Sequence, residues 1–396
     1  MASSSARGLK AVASKSGSDV VILSSLRTAI TRSNKGGFRD AYDHELLSHV
    51  LRATLAANPT LPRDKIEDVA VGVVLAELGG SKAARMAQLH AGFDARATAL
   101  HTVNRACSSG LAAITSIANL IASRQISVGV AAGMESMTRN YASRAIPVSL
   151  WDGLRRSPDQ DARDCIMPMG LTSENVATRY GVGRADQDAF AVESHRRASH
   201  AQRAGLFDAE IVPVEVRQTE LPPKGADKDA AVLAQLKTAT VVVDKDDGIR
   251  HDLAVDTLAK LKPAFAQDGA STAGNSSQWV ATQTVGCKPD EMGVGPAVAI
   301  PKLLDFTGLS TDDVKVWEIN EAFASQALYC IRKLGLENRL DDVNPRGGAI
   351  ALGHPLGMTG VRQLTTLLPQ LQPGEAGVVS MCIGTGMGMA ALFVRE

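Results

Sequence analysis

The sequence predicts an α/β protein built from one unit used twice, and three observations carry that prediction. Apolar strands alternate with helices through the first 140 residues and again after about residue 270. In each half a helix rich in small side chains follows a strand that ends at a chemically capable residue. Between the halves lies a stretch rich in charge, arginine, aspartate and proline.

In chain order, "DVVILSSLRT" reads as a buried opening strand and "HELLSHVLRATLAAN" as a helix with apolar residues at helical spacing. "VAVGVVLA" is a second strand, "AARMAQLHAGF" a helix and "ALHTVNRA" a third strand. "SSGLAAITSIANLIASR" is a small-residue helix leading into the strand "ISVGVAAGMESM". Strands that are apolar throughout, with helices between them, imply a parallel-rich sheet covered on both faces. Residues 140–272 then read as an inserted loop domain, with the helix "RADQDAFAVESHRRASHAQRAG" and the solvated insert "ELPPKGADKDAAV". Alternation returns in 273–396: strand "VKVWEIN", helix "EAFASQALYCIRKLG", strand "GGAIALGH", helix "PLGMTGVRQLTTLLPQL", and two closing strands in "AGVVSMCIGTGMGMAALFVRE". "VGVAAGMESM" and "GVVSMCIGTG" look like the same strand used twice, so 19–139 and 273–396 are the duplicated halves.

Composition narrows the function. Lys+Arg and Asp+Glu both number 42, so no net field draws nucleic acid or an acidic membrane surface. No apolar run approaches the length of a membrane span. The five cysteines (107, 165, 287, 330, 382) are widely spread and form no C-x-x-C pair, which argues against a disulfide framework or a zinc site. Residues 1–18 hold three basic residues and no acid, as a disordered or targeting tail would.

Four segments could carry chemistry. Cys107 stands where a helix begins, and the unpaired N–H groups and dipole there favour a thiolate, lowering the thiol pKa. "NPRGGAIALGHPLGMTG" places His354 among five glycines, which allow close backbone approach, and it holds no phosphate-loop pattern. "SMCIGTGMG" sets Cys382 beside Gly384, Gly386 and Gly388, whose N–H groups can converge as an oxyanion hole does. "EINEAFASQ" ends an apolar strand at Asn320 and Glu321, where helix capping is the plainer role.

Taken together, "NRACSSGLAAI", "GMESMT", "NEAFASQAL", "GGAIALGHPLGMTG" and "CIGTGMG" resemble the signatures of the thiolase family, from about Asp19 to the C-terminus. The resemblance is greatest to 3-ketoacyl-CoA thiolases of the peroxisomal type. It implies a five-layer αβαβα fold and a homodimer or a dimer of dimers. The implied activity is cleavage of 3-ketoacyl-CoA by CoA, a co-substrate, with no further cofactor, no metal, no nucleic acid and no membrane. Condensation of acetyl-CoA, or an inactive CoA-binding or dimerising protein, stand as alternatives. The resemblance makes Cys107 the nucleophile, His354 its activator and an enolate-stabilising donor, and Cys382 the acid that protonates the leaving group. Asn320 would hold a water at one oxyanion hole, and the N–H groups of Cys107 and Gly384 would form the other. Arg250, Phe265, Ala273 and Ser277 would contact CoA, while Met169, Met292 and Phe323 would line the pantetheine and acyl tunnel. It implies a peroxisomal location too. No amino-terminal peroxisomal address is recognisable, with His44 the first histidine, so mitochondrial or cytosolic locations stay open.

One departure stands out. "GNSSQ" runs straight into "WVATQTVGCKPDEMG", where the family has a further strand and helix. The duplication shows the same gap, because the closing strand "MGMAALFVRE" has no counterpart between Met137 and Trp279. About two dozen residues are missing after Gln278, enough for a strand and a helix. The first half is therefore expected to lack a strand and to open an apolar void, with only "WVATQTV" left to pair with the opening strand.

Overall fold

The computed structural model describes residues 8–13, 19–223, 225, 230–263 and 282–395. The first half runs β1 (Arg27–Thr28), α1 (Asp43–Ala57), β2 (Asp68–Gly72), α2 (Ser81–Ala91), β3 (Ala99–Val103), α3 (Ser109–Ala122) and β4 (Gly129–Gly133). Its sheet has the order β3-β2-β4, all parallel, with Asp68–Gly72 in register with both neighbours. Period-two alternation builds the layers. Val69 and Val71 pack with Leu47 and Leu51 of α1 and Ala84 and Ala87 of α2, whereas Ala70 faces Ala113 and Ile117 of α3.

The inserted region contributes helices α4 (Met169–Arg179) and α5 (Arg184–Arg203), then β5 (Ile211–Val212), β6 (Val214–Thr219) and β7 (Thr238–Val243). β6 and β7 pair antiparallel, and β5 pairs with β1. Buried Arg27 ties this region to the first half, since its guanidinium donates to Glu210 at 2.7 Å and to both Asp246 oxygens at 2.8 and 2.9 Å.

The second half comprises β8 (Gln283–Gly286), α6 (Gly295–Thr307), β9 (Val314–Ile319), α7 (Ala324–Lys333), α8 (Ala349–Leu352), α9 (Thr359–Leu367), β10 (Ala376–Ile383) and β11 (Met387–Val394). Its sheet order is β8-β11-β10-β9, with β9 and β10 parallel and the other pairs antiparallel. Every residue of β10 is buried, as a strand covered on both faces should be. α3 packs on α9 between the two sheets, α1 and α2 cover the outside of the first, and α6 and α7 cover the second. That stack is the expected αβαβα arrangement.

Three sequence expectations need correction. The opening strand survives only as Arg27–Thr28, and Val21 and Leu23 are 53% and 65% exposed. A strand needs a hydrogen-bonded neighbour, and no described strand lies beside residues 19–26. The end of "WVATQTV" does not pair with that segment; it forms β8, on β11 of the second sheet. "GGAIALGH" is the short helix α8, because Glu321 Oε2 accepts from Ile350 N and Ser194 Oγ from Gly348 N, removing the donors a strand would offer. β9 therefore meets only an isolated bridge at Val343 on its outer edge.

The expected shortage in the first half is present among the described residues: its sheet has three strands, against four in the sheet of the second half, with β1 paired instead to β5. Gln278 itself lies outside the described residues. Between residues 19–26 and β4 is a cavity of about 670 Å3, walled largely by apolar side chains of α1 and α3.

Candidate active site

A seam of glycines brings the two halves together. A Cβ on Gly133 would stand 2.2 Å from Gly357 O, and one on Gly110 would stand 2.7 Å from the same atom. Glycine at these positions lets the His354 loop touch both the start of α3 and the end of β4. Glu135, just past β4, clamps the seam: its carboxylate oxygens accept from Val74 N and Leu75 N, both at 3.2 Å, and from Gly357 N at 3.0 Å. Burial pushes the Glu135 carboxyl up to about 7.

Cys107 sits on the turn between β3 and α3, 2% exposed. The turn is tight: Ala106 has a φ of 44°, unusual for a residue with a side chain. It is pinned by Asn104 Oδ1 accepting from Ala106 N at 3.0 Å and by Ser109 Oγ accepting from Arg105 N at 2.9 Å. Burial pushes the thiol up to about 12, although the N–H groups of Gly384 and of Cys107 itself point at the sulfur and pull the other way. The helix start therefore does not hold a thiolate here, as the sequence had led us to expect; desolvation outweighs it. Gly384 follows Cys382 by two residues, so the contact places the closing loop of the second half against the first half's thiol.

His354 is held at neutral. Its pKa falls to about 3 through burial and the nearby Arg362 charge. The Thr359 hydroxyl donates to Pro355 O at 2.9 Å, so its oxygen accepts from Nδ1–H of His354 at 2.8 Å. That bond fixes the tautomer and leaves Nε2 as the basic nitrogen. His354 lines a pocket of about 390 Å3 together with Met169, Arg250 and Phe323, and with Tyr141 and His195. Arg250 is exposed at its rim, with its backbone N–H on His195 Nδ1 at 3.0 Å. Cys382, at the end of β10, is buried against Phe323, with Met169 packed on the same cluster. Contacts link these residues in part: Gly384 meets Cys107, Cys382 packs with Phe323 and Met169, and Met169, Phe323, Arg250 and His354 line one pocket.

Asn320, just past β9, is 1% exposed, and among the described residues neither its Oδ1 nor its Nδ2 has a hydrogen-bond partner. A buried amide without partners fits a residue waiting for water or substrate. Met292 is 1% exposed and packs with Phe323, Cys382 and Met169. Phe265, Ala273 and Ser277 lie outside the described residues. Sequence reasoning passed over Glu135, Thr359, Tyr141 and His195. An acid at the end of an otherwise apolar strand was the available signal for Glu135; the others carried none. Among the described residues no cluster of His, Cys, Asp or Glu could hold a metal ion.

A thiol that only a neighbour can deprotonate, with donors waiting where negative charge collects, is what acyl transfer through a thioester requires. On this two-half frame the arrangement is that of an acyl-transfer protein. Residues 20–280 match the thiolase N-terminal domain and residues 275–395 the thiolase C-terminal domain, and the chain belongs to the thiolase family. It is 46% identical to "3-ketoacyl-CoA thiolase B, peroxisomal" of Rattus norvegicus, over 96% of this chain and 91% of that one. It is 42% identical to "3-ketoacyl-CoA thiolase, peroxisomal" of Saccharomyces cerevisiae, over 96% and 92%. The crystal structure of the dimeric peroxisomal thiolase of Saccharomyces cerevisiae superposes with a TM-score of 0.85 at 40% identity, covering 98% of this chain and all of that one. A second structure of that organism's peroxisomal 3-ketoacyl-CoA thiolase, described as five-layered from two core domains of identical topology, gives 0.74 at 39% identity, covering 96% and 99%.

Proposed function

We propose that this protein is a 3-ketoacyl-CoA thiolase, an acyltransferase of peroxisomal fatty-acid β-oxidation that uses CoA to release acetyl-CoA and a shortened acyl-CoA. The observation that carries the proposal is the Cys107 thiol, met by the Gly384 N–H across the seam, in a chain 42–46% identical to relatives bearing that name. Nε2 of His354 takes the Cys107 proton as the sulfur attacks the 3-keto carbon. The bond between C2 and C3 breaks, and its electron pair becomes the enolate of acetyl-CoA. Cys382 gives that carbon a proton, leaving the acyl group as a thioester on Cys107. Cys382 then takes the proton of incoming CoA, whose sulfur captures the acyl group, and His354 returns its proton to Cys107. The N–H groups of Cys107 and Gly384 support the oxyanion on the acyl carbon, and His354 with a water on Asn320 supports the enolate oxygen.

Arg250 suits the CoA phosphate end, being exposed at the pocket rim. Met169 and Phe323 supply apolar wall for pantetheine and acyl groups. CoA is a co-substrate and no other cofactor enters the reaction. Phe265, Ala273 and Ser277 remain proposed CoA contacts on the family pattern. The dimeric neighbour supports a homodimer, and the peroxisomal relatives support a peroxisomal location.

Thioester loss from acetoacetyl-CoA and from a longer 3-ketoacyl-CoA, each with CoA, tests the proposal. Turnover is expected with the longer substrate. Cys107→Ala should abolish the acyl-enzyme detected by mass spectrometry, while Cys382→Ser should leave acylation measurable and slow the carbon–carbon step. Absence of turnover with CoA binding retained would instead mark an inactive CoA-binding protein.

A further inference from the structure

The two halves follow one plan, and the plan locates an unfilled position. In the second half β10 takes β11 antiparallel along one edge, and β11 takes β8 beyond it. In the first half β4 holds the place of β10, and residues 19–28 hold the place of β8. β4 pairs with β2 on one side, and no described strand pairs with it on the other. Two bonds set the phase of that outer edge: Glu67 N donates to Val128 O, and Met134 N donates to Gly72 O. Even-numbered residues of this strand therefore face β2, and Gly129, Ala131 and Gly133 turn their N–H and C=O groups toward the cavity.

The cavity of about 670 Å3 fills the space between that edge and residues 19–26. Its walls include Leu47 and Leu51 of α1 and Leu111, Ile114 and Ile117 of α3. Polar groups also line it, and of the charged ones Arg27 and Glu135 are fully engaged by hydrogen bonds. Asp43 Oδ1 accepts from His44, whereas Asp43 Oδ2 is buried with no donor among the described residues. Asp43 and Glu135 line the same cavity and sense each other's charge, so Asp43 stands at the end where β4 finishes.

We propose that this groove is a strand-acceptor site: it binds an extended apolar segment of another polypeptide, antiparallel to β4, whose first residue carries a donor side chain that meets Asp43. The outward N–H and C=O groups require a partner with main-chain donors and acceptors at strand spacing, which a lipid tail lacks. The apolar walls select alternate apolar side chains, and the unpaired carboxylate oxygen selects a cation at one end only. Complementation of this kind supplies in trans what β11 supplies within the second half.

The probe is an eight-residue peptide with the sequence of β11, its first methionine replaced by lysine, fluorescently labelled and titrated into the full chain. Saturable binding is expected, with a melting temperature that climbs as peptide is added. Two central prolines in the peptide, removing N–H donors, should weaken binding at least about tenfold. Asp43→Asn should weaken the lysine peptide by about tenfold and leave the methionine peptide unchanged. Leu51→Trp, which fills the groove, should abolish binding while the protein stays folded by circular dichroism. The proposal falls if the proline peptide binds as tightly as its parent, or if no peptide binds the folded chain. It also falls if decanoate displaces the peptide, or if the peptide acts by converting dimers to monomers, which would make the occupant a second copy.

Discussion

Cys107 and His354 are each tuned away from the charged state, and the pair works because both are. A thiol pushed up to about 12 does not ionise unaided near neutrality, and an imidazole lowered to about 3 stays an acceptor across the physiological range. In the proposed mechanism, proton transfer between them therefore belongs to the reaction and not to the resting state. The alkylation rate of Cys107 by iodoacetamide should accordingly rise with pH from 7 to 10 without levelling. A plateau near pH 8, read by peptide mass spectrometry, would mean that a thiolate is already present. The residue identities were legible in the sequence; their protonation was not. A helix start predicts a lowered thiol pKa, and only packing reveals that burial overrides it.

The elements that build the site are held by close backbone contacts. Gly133→Ala would drive a methyl group to 2.2 Å from Gly357 O, an overlap that the loop can relieve only by moving His354. Overpacking of this kind costs about 1–3 kcal/mol. The variant should lose at least about tenfold in kcat at unchanged CoA affinity, since misplacement falls on the chemical step. Glu135 gives a pH signature. Its folded carboxyl is pushed up to about 7 from 4.5, so it contributes stability below the unfolded value that is lost as pH rises through the folded one. Glu135→Gln should reduce the fall in denaturant stability between pH 5 and pH 8 by about 2 kcal/mol relative to the parent. Period-two and 3.6-residue patterns sufficed for β2, β9, β10 and the long helices. They missed α8, where side chains of Glu321 and Ser194 claim backbone donors from a distance.

Across the whole molecule, the duplication made the imbalance between the halves visible before any coordinates. It did not foretell that β8 would pair with β11, leaving residues 19–26 without a neighbouring strand among the described residues. Hydrogen exchange should report that asymmetry directly. Amides of residues 20–26 should exchange through small local fluctuations, while those of 283–286 in β8 stay protected. Equal protection in both segments would mean that the first sheet is complete in solution. The glycine seam carries a consequence for inheritance as well. Cys107 is encoded before the inserted region, and His354 and Cys382 after it. A gene divided within that insertion would yield two polypeptides, each inert, and turnover would return only where both products met.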